Sequence, residues 1–409
     1  MNEVSQGYVL IGWNVVPNAK EIIFDNAVKK ADLPVSPNSV LNLYPVWRDT
    51  YINHYTKPKG SGTIDDPYLI SNGNELAWMS FKAKNTKLEG YFKQTSNIDL
   101  SAYEWTPIGS SAAYGFRGNY DGNGFCISNL NVRGCLNSSY TGLFGYLFGD
   151  VSNLVIASGN ISGALTFSNA ILWAGAIAGG THSAEIINCV NFAKINVLKS
   201  RNSSIGVFGH AGGLLGKMFL GELYNCANYG DMVGFGYIGG LIGSISQKGE
   251  TIKNCQVRCT IELITNGKFN VKTGALFGII SANESEWHEK TIIENCVADV
   301  IELKNEKREV IETFLYGPFF SKSGYDVTYK NCFLKLKTKD IYDKVIRNSS
   351  ENKNVIVEIN DSKYYIGTDF SAWGVMPDGR VVLKELLHQG NLLPTPTTQW
   401  FEENGYIYP

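Results

Sequence analysis

The stretch Gly212-Gly213-Leu214-Leu215-Gly216, followed by Asn225-Cys226, contains the two patterns that decide the fold. Copies of each pattern alternate along the chain at intervals of roughly 24–41 residues, which is the range of solenoid repeats. The glycine-rich apolar copies are Gly142-Leu143-Phe144-Gly145, Gly175-Ala176-Ile177-Ala178-Gly179, Gly239-Gly240-Leu241-Ile242-Gly243, Gly274-Ala275-Leu276-Phe277-Gly278 and the degraded Gly317-Pro318-Phe319-Phe320. The copies with Asn before a small apolar residue are Asn129-Leu130, Asn153-Leu154, Asn188-Cys189, Asn254-Cys255, Asn295-Cys296 and Asn331-Cys332. This alternation predicts a repeat protein.

The segments around these motifs are short and rich in β-branched residues. Thr251-Ile252-Lys253-Asn254-Cys255-Gln256-Val257, for example, alternates in the manner of a strand. No intervening segment has a helical period long enough for a βαβ crossover, so the strands must bury their apolar faces against one another. Stacked coils achieve this, and parallel crossovers are right-handed in most proteins. The sequence therefore predicts an all-β fold, a right-handed parallel β-helix (solenoid).

Asparagine and cysteine have expected places in such a coil. Asn tolerates left-handed backbone angles, and its amide can bond to an Asn one coil away. The residue after it would point inward, so we expect an apolar column that runs from Leu130 through Leu154 to five cysteines. These are Cys189, Cys226, Cys255, Cys296 and Cys332. We interpret them as buried free thiols, with inter-coil disulfides or a metal site as the alternatives.

The composition argues against several classes of function. Charged residues make up 18% of the chain and the formal net charge is −2, so no basic field exists to attract nucleic acid. No stretch reaches the roughly 18 consecutive apolar residues of a membrane span, so we expect no membrane insertion. The first residues lack the basic and apolar regions of a signal peptide. We expect that a leader has been removed, rather than that the protein is cytoplasmic.

Motifs in and before the repeats carry a resemblance to a known family. They are Gly60-x-Gly62-Thr63-x-x-Asp66-Pro67-Tyr68-Leu69-Ile70, Trp105-x-Pro107-Ile108-Gly109, Phe116-x-Gly118-x-x-Asp121-Gly122-Asn123-Gly124-x-x-Ile127-x-Asn129-Leu130 and Gly142-Leu143-Phe144-Gly145. In these motifs, residues 60–335 resemble GLUG-motif repeat proteins, which implies a β-helix of a bacterial surface protein. One branch of that family carries a metalloprotease domain, but its HExxH motif is absent here, since Glu286-Trp287-His288-Glu289-Lys290 does not match it.

The front of the chain carries a second resemblance. Gly7-Tyr8-Val9-Leu10-Ile11-Gly12-Trp13, followed by Leu43-Tyr44-Pro45-Val46-Trp47, resembles the latter half of a Listeria–Bacteroides repeat, a small β-grasp-like module of surface proteins. The module's first strand is missing from the match. We therefore predict a partial Listeria–Bacteroides-type module over 1–48, a linker over 49–62, the β-helix over 63–335 and a C-terminal closing region over 336–409.

Both open ends of a β-helix need a cover. Residues 72–84 predict a short N-terminal capping helix with Asn74 as its cap. Its expected apolar face consists of Leu76, Ala77, Trp78, Met79, Phe81 and Ala83. Near the other end, Phe370, Trp373, Val375 and Leu383, around Pro377-Asp378-Gly379-Arg380, predict a hairpin-like closing unit.

Enzymes built on β-helices need clustered carboxylates on one flank of the coils. Between residues 141 and 300 the aspartates are Asp150, Asp231 and Asp299, which do not occupy equivalent repeat positions. His182 and His210 lie at related places in neighbouring repeats, where they could stack. We expect them to be surface or turn histidines, with a catalytic or metal-binding pair as the alternative. The sequence predicts no catalytic residue, no metal ion and no cofactor.

Aromatic residues are the strongest binding signal in the sequence. Tyr114, Tyr120, Tyr140, Tyr146 and Tyr237 fall in predicted turns or loops off the coils, where aromatic rings can stack on sugars or anchor a protein. The alternative is that they cover turns and core edges. We interpret the chain as a monomeric, non-catalytic adhesion module at the cell surface or outside the cell, with a host or cell-wall glycan or protein as its partner. A structural stalk and a carbohydrate-active lyase or hydrolase are the alternatives.

Overall fold

A computed structural model gives the architecture of the chain. It describes residues 4–5, 8–23, 39–109, 111–133, 139–164, 171–198, 208–234, 236–246, 249–264, 272–280, 291–294, 296–304, 327–330, 332–336, 355–359, 373–375 and 381–383. Within these ranges the chain forms one α-helix, α1 (Gly73–Ala83), and one 3-10 turn, Tyr51–Asn53. The remaining regular structure is β-strand.

The strands are numbered in chain order. The front strands are β1 (Val4–Ser5), β2 (Tyr8–Asn14), β3 (Tyr44–Asp49), β4 (Tyr68–Ile70), β5 (Tyr91–Gln94), β6 (Ile98–Asp99), β7 (Asn119–Asp121), β8 (Cys126–Ser128) and β9 (Leu130–Arg133). The central strands are β10 (Tyr140–Thr141), β11 (Phe144–Leu147), β12 (Asp150–Ile156), β13 (Gly159–Ala164), β14 (Ile171–Ala174), β15 (Ala178–Thr181), β16 (Ala184–Asn191), β17 (Lys194–Leu198), β18 (Phe208–Gly212), β19 (Leu215–Met218), β20 (Gly221–Tyr224), β21 (Ala227–Asn228), β22 (Met232–Gly234), β23 (Tyr237–Gly239) and β24 (Ile242–Ile245). The later strands are β25 (Thr251–Lys253), β26 (Gln256–Leu263), β27 (Lys272–Gly274), β28 (Phe277–Ile280), β29 (Thr291–Glu294), β30 (Val297–Lys304), β31 (Val327–Lys330), β32 (Cys332–Leu336), β33 (Val355–Ile359), β34 (Trp373–Val375) and β35 (Val381–Leu383).

The strands stack into three parallel sheets. Sheet B holds β10, β14, β18, β23 and β27, and sheet C holds β11, β15, β19, β24 and β28. Sheet A collects 20 strands between β4 and β33. From β10 to β30, each coil runs from a sheet B strand to a sheet C strand and then along sheet A, before the chain returns to sheet B one coil further on. The predicted parallel β-helix is confirmed.

The glycine motifs form the sharp corner between sheets B and C. A Cβ atom on Gly179 would lie 2.4 Å from the backbone nitrogen of Thr141, and one on Gly216 would lie 2.4 Å from the backbone nitrogen of Ala174. The backbones of the two sheets therefore approach each other at a distance that only glycine permits. The apolar residues between the glycines point into the core, where Leu214 and Leu215 are fully buried.

Asparagines form a second corner, within sheet A. Asn153, Asn188, Asn225 and Asn254 hold left-handed φ angles of 52–54°. Their side-chain amides bond from coil to coil at 2.9–3.2 Å, and the ladder begins where Asn153 donates to Asp121. Asn129 lies at a different corner, where its amide donates to Asp99 at 2.8 Å. The predicted Asn-to-Asn bonding is confirmed for the coils from Asn153 to Asn254.

The residues after these asparagines form the inward column, with one correction. Leu154 is in register with Cys189, but Leu130 pairs with Gly159 on another part of the sheet, so its predicted place in the column was wrong. Four cysteines of the column are buried free thiols whose Sγ atoms donate to carbonyl oxygens of the preceding coil, for example from Cys226 to Ile186 at 3.4 Å. They are Cys189, Cys226, Cys255 and Cys296. Cys332 begins β32, and its side chain lies outside the described part of the structure.

Helix α1 covers the first coil, as the sequence predicts. Its cap, however, is Asn72 and not Asn74, because Asn72 Oδ1 accepts the backbone N–H groups of Asn74 and Glu75, both at 3.0 Å. Phe81 was also wrongly predicted to belong to the buried face. It is exposed and stacks on Tyr55, with ring centroids 3.9 Å apart. The remaining predicted apolar residues of the helix are buried, namely Leu76, Ala77, Trp78, Met79 and Ala83.

Strands β1 to β3 form a small antiparallel sheet in front of the solenoid. A buried carboxylate joins it to the body: Glu104 Oε1 lies 3.2 Å from Nη1 of Arg48 on β3 and 3.7 Å from Nε of Arg133 on β9. Arg133 also donates to the carbonyl oxygen of Ile11 at 3.1 Å. Within the predicted linker 49–62, Tyr51 is buried against the body. The domain boundaries stay predictions.

Within the predicted closing hairpin, the structure describes only the two strands. β34 and β35 pair antiparallel, with Val375 opposite Val381. Phe370, the predicted turn at 377–380 and most of residues 336–409 lie outside the described ranges.

Candidate functional site

The outer side of sheet B carries a column of aromatic rings. Neighbours such as Leu172, Ala174 and Ile238 are buried at 0–1% exposure, whereas the ring positions between them are half-buried, so the column faces away from the core. Successive ring centroids lie 4.8, 5.8 and 4.9 Å apart. The register partners that form the column are Tyr140, Trp173, His210 and Tyr237.

A second row on sheet C adjoins this column. Its register partners are Tyr146, Gly180, Lys217 and Ser244. A Cβ atom on Gly180 would lie 2.7 Å from the Tyr140 ring and 3.1 Å from the Tyr146 ring, so the two tyrosines crowd the space above it. Residues just beyond the strand ends extend the row. The ring centroid of His182 lies 5.5 Å from that of Phe148 and 4.6 Å from that of Phe219. We call the two rows the aromatic face: Tyr140, Tyr146, Phe148, Trp173, His182, His210, Lys217, Phe219, Tyr237 and Ser244.

The charges on this face follow from burial. Burial lowers the pKa of Lys217, and burial together with the charge of Lys217 lowers the pKa of His210 to about 4. Burial raises the pKa of Tyr140 to about 12 and also raises that of Tyr146. At neutral pH the imidazole of His210 is therefore uncharged and both phenols keep their protons. Arg117 adds a cation at the edge, with its guanidinium 3.8 Å from the Phe148 ring centroid.

Several polar atoms on this face are buried and lack a hydrogen-bond partner within the described part of the chain. They are Trp173 Nε1, His210 Nδ1 and Ser244 Oγ. Buried polar groups are nearly always paired in folded proteins, so groups like these point to a water molecule or a ligand. The face therefore combines apolar ring surface with a few hydrogen-bonding groups, which is the usual composition of a recognition site.

The structure places the five predicted tyrosines differently. Tyr140, Tyr146 and Tyr237 lie within strands β10, β11 and β23 rather than in loops, and all three belong to the aromatic face. Tyr114 lies in an exposed turn, as predicted. Tyr120 is a correction: it lies in β7 with 1% exposure, and its hydroxyl donates to Gln94 Oε1 at 3.1 Å, so it belongs to the core.

The two histidines belong to different sheets and not to one stack. His210 lies in β18 of sheet B between Trp173 and Tyr237, whereas His182 follows β15 of sheet C. Trp173, Lys217 and Ser244 were missed by sequence reasoning. The signal that could have found them is their position relative to the glycine motif. Each residue of the sheet B column lies two positions before the first glycine of its motif, and each residue of the sheet C row directly follows the last glycine.

Two of the aspartates in the repeats accept backbone N–H groups. Asp150 accepts the N–H of Glu185 and Asp231 accepts the N–H of Thr260, both at 2.9 Å. Across the described ranges, no three His, Cys, Asp or Glu side chains stand close enough together to hold a metal ion. In the same ranges no helix has the length and apolar character that a membrane span requires.

Comparisons with known proteins give partial likenesses. No family model matches the chain. A stretch of 81 residues, 18% of the chain, is 36% identical to halomucin of Haloquadratum walsbyi and corresponds to 1% of the length of that protein. A solved structure from Bacteroides ovatus, named as a candidate immunoglobulin A1 protease, covers 81% of this chain and 95% of its own, with 16% identity and a TM-score of 0.47. The chain thus spans a very small part of the curated relative that it matches, and neither likeness assigns it an activity.

Proposed function

We propose that this chain is a non-catalytic binding module of a bacterial surface or secreted protein, and that its aromatic face contacts an extended glycan. The observation that carries the proposal is the register of Tyr140, Trp173, His210 and Tyr237. Because successive coils each contribute one ring, an elongated ligand lying along the solenoid axis would meet a ring at every coil. Tyr and Trp combine an apolar body with a polar tip, which suits sugars that present both kinds of surface.

Ring stacking alone is a competing explanation of the column. The rings of Tyr140 and Trp173 are stacked with an interplanar angle of 13°, and aromatic pairs contribute about 0.5–1.5 kcal/mol to stability. Stabilisation of the coils does not require buried polar atoms without partners, however. Trp173 Nε1 and His210 Nδ1 are such atoms within the described part of the chain, so the column contains polar groups that ring stacking leaves unused. This feature favours a binding role over a purely structural one.

The acidic residues support the non-catalytic part of the proposal. Glycoside hydrolysis generally needs two carboxyl groups on opposite sides of the scissile bond. The aromatic face has no Asp or Glu among its members, and Asp150 and Asp231 already accept backbone N–H groups. The resemblance of residues 60–335 to GLUG-motif repeat proteins supports a location at the cell surface or outside the cell.

A glycan array tests the proposal. The purified chain would be screened with and without calcium, and the bound glycans would be analysed for cleavage products. Binding without cleavage is the expected result. Cleavage, or binding that occurs only with calcium, would contradict the non-catalytic proposal. The absence of any binding would contradict the glycan ligand and favour a stalk or a protein partner.

Variants locate the binding surface. We expect Trp173→Ala to weaken glycan binding at least about tenfold, since buried aromatic anchors dominate recognition surfaces. Tyr224→Ala is the matched control, because Tyr224 is an aromatic residue of sheet A with 40% exposure. Trp173→Phe keeps the stacking and removes only the indole N–H. Thermal unfolding would first establish that both variants are folded. Equal glycan affinities of the Trp173→Ala and Tyr224→Ala proteins would then remove the aromatic face from the proposal.

A further inference from the structure

Lys217 is a half-buried cation in the middle of the aromatic face. Its Nζ lies 5.6 Å from the Trp173 ring centroid and 6.0 Å from the Phe219 ring centroid. The ion pairs between described residues do not include it. Because the side chain is half-buried, its ammonium group is partly desolvated, and this burial lowers its pKa. A desolvated cation is stabilised by a counter-charge, and here the chain itself supplies none within the described ranges.

Three neutral polar groups occupy neighbouring register positions on the same two sheets. Trp173 and His210 are adjacent in register on sheet B, and Lys217 and Ser244 are adjacent on sheet C. The Trp173 ring centroid lies 5.8 Å from the His210 ring centroid and 5.6 Å from Lys217 Nζ, so the indole is next to both side chains. The indole Nε1, the imidazole Nδ1 and the serine Oγ are all buried without partners among the described residues. Each of the three can donate a hydrogen bond.

We propose that Lys217, Trp173, His210 and Ser244 form a subsite for the carboxylate group of an acidic sugar. The inference rests on the proposed glycan function and names the class of sugar. A carboxylate has two oxygen atoms and about four acceptor positions, enough for one hydrogen bond from each of the four donor groups. The ammonium group supplies the charge, while the indole N–H, the imidazole N–H and the serine hydroxyl fix the orientation of the carboxylate. The adjacent rings contact the apolar side of the sugar.

The charge balance favours a carboxylate over a doubly charged group. Lys217 is the one cation among the four subsite residues, since His210 is neutral at pH 7 and Arg117 lies at the edge of the face beside Phe148. One negative charge therefore neutralises the site, whereas a phosphate dianion would leave a buried excess of negative charge.

Glucuronate and glucose are matched probes for this subsite, because they differ only at C6, which is a carboxylate in glucuronate and a hydroxymethyl group in glucose. The full chain, labelled with ¹⁵N, would be titrated with each sugar while the indole N–H signal of Trp173 is followed by NMR. Trp173→Phe assigns that signal. We expect a saturable shift with glucuronate and a response at least about tenfold weaker with glucose, which corresponds to about 1.4 kcal/mol. Equal responses to the two sugars would overturn the subsite.

Substitutions of Lys217 complete the test. Lys217→Met keeps the length of the side chain and should abolish the preference for glucuronate, whereas Lys217→Arg should preserve it. Lys253→Met is the control, because Lys253 is a half-exposed lysine of sheet A that pairs with Glu294 at 3.2 Å. An unchanged glucuronate response in folded Lys217→Met protein would contradict the proposal.

The two proposals fail in different ways. Binding of neutral glycans on the array, with no glucuronate response, would overturn the carboxylate subsite and leave the glycan-binding face intact. A glucuronate response that depends on Lys217, with no glycan polymer bound, would support the subsite and overturn the extended ligand.

Discussion

The side-chain amide of Asn188 donates from Nδ2 to Oδ1 of Asn153, 2.9 Å away in the preceding coil. Both residues hold left-handed backbone angles, with φ of 54° and 53°. The same residue type therefore turns the backbone and bonds to its equivalent one coil away. This link between local conformation and coil stacking makes the asparagine corner sensitive to substitution.

We predict that Asn188→Ala lowers the free energy of unfolding by about 2–4 kcal/mol, because it combines left-handed strain with lost hydrogen bonds. Asn188→Gly should cost less, since glycine accepts the left-handed angle. Asn18→Ala is the control for strain alone: Asn18 has a φ of 59° in an exposed turn. Urea unfolding measures all three. If Asn188→Ala and Asn18→Ala lost the same stability, the ladder would contribute nothing.

The close approach of sheets B and C predicts a strong effect of Gly216→Ala. Its new methyl group would lie 2.4 Å from the backbone nitrogen of Ala174, and the backbone could move away only by disrupting the packing of the two sheets. Gly234→Ala is the matched control, because its nearest contact would be 3.2 Å. We expect Gly216→Ala to destabilise the chain by more than about 3 kcal/mol or to prevent folding, since overpacking a dense core typically costs about 1–3 kcal/mol even without a backbone clash. Comparable yields and unfolding midpoints for the two variants would contradict the tight corner.

The carboxylate of Glu104 predicts how the small front sheet is held. Glu104→Gln keeps the shape but weakens the contacts with Arg48 and Arg133, and we expect a loss of about 1–3 kcal/mol. Limited proteolysis should then cut faster between the front sheet and the solenoid. Glu222→Gln replaces an exposed glutamate of β20 and should change neither measurement. Unaltered proteolysis of Glu104→Gln would show that other contacts hold the front sheet.

His210 predicts a pH dependence of stability. Its pKa falls from 6.5 to about 4 on folding, so the unfolded chain binds a proton in a pH range where the folded chain does not. Stability contributed by the neutral imidazole is therefore present above about pH 6.5 and is lost as the pH falls towards about 4. The groups that face it are the Lys217 ammonium, whose charge contributes to the lowered pKa of His210, and the Tyr237 ring, with a centroid 4.9 Å away. Urea unfolding should show a smaller loss of stability between pH 6.5 and 4 for His210→Gln than for the unaltered chain, and equal slopes would contradict the assignment.

The repeat sequence by itself determined the parallel solenoid. Glycines beside apolar residues and Asn before Leu or Cys encode local backbone angles and inward positions, and these repeat from coil to coil. The capping helix also followed from the sequence, although the choice between Asn72 and Asn74 as its cap depended on one backbone bend that composition does not reveal.

Only the tertiary structure decided which side chains meet. Tyr120 and Tyr140 both look like turn tyrosines in the sequence, but strand pairing buries the first and leaves the second on an outer face. Trp173, Lys217 and Ser244 come from three different coils, and their proximity depends on the register between sheets and on the angle of the glycine corner. Repeat spacing varies along the chain, so sequence distance does not encode that register, and the candidate site emerges only when the coils are stacked.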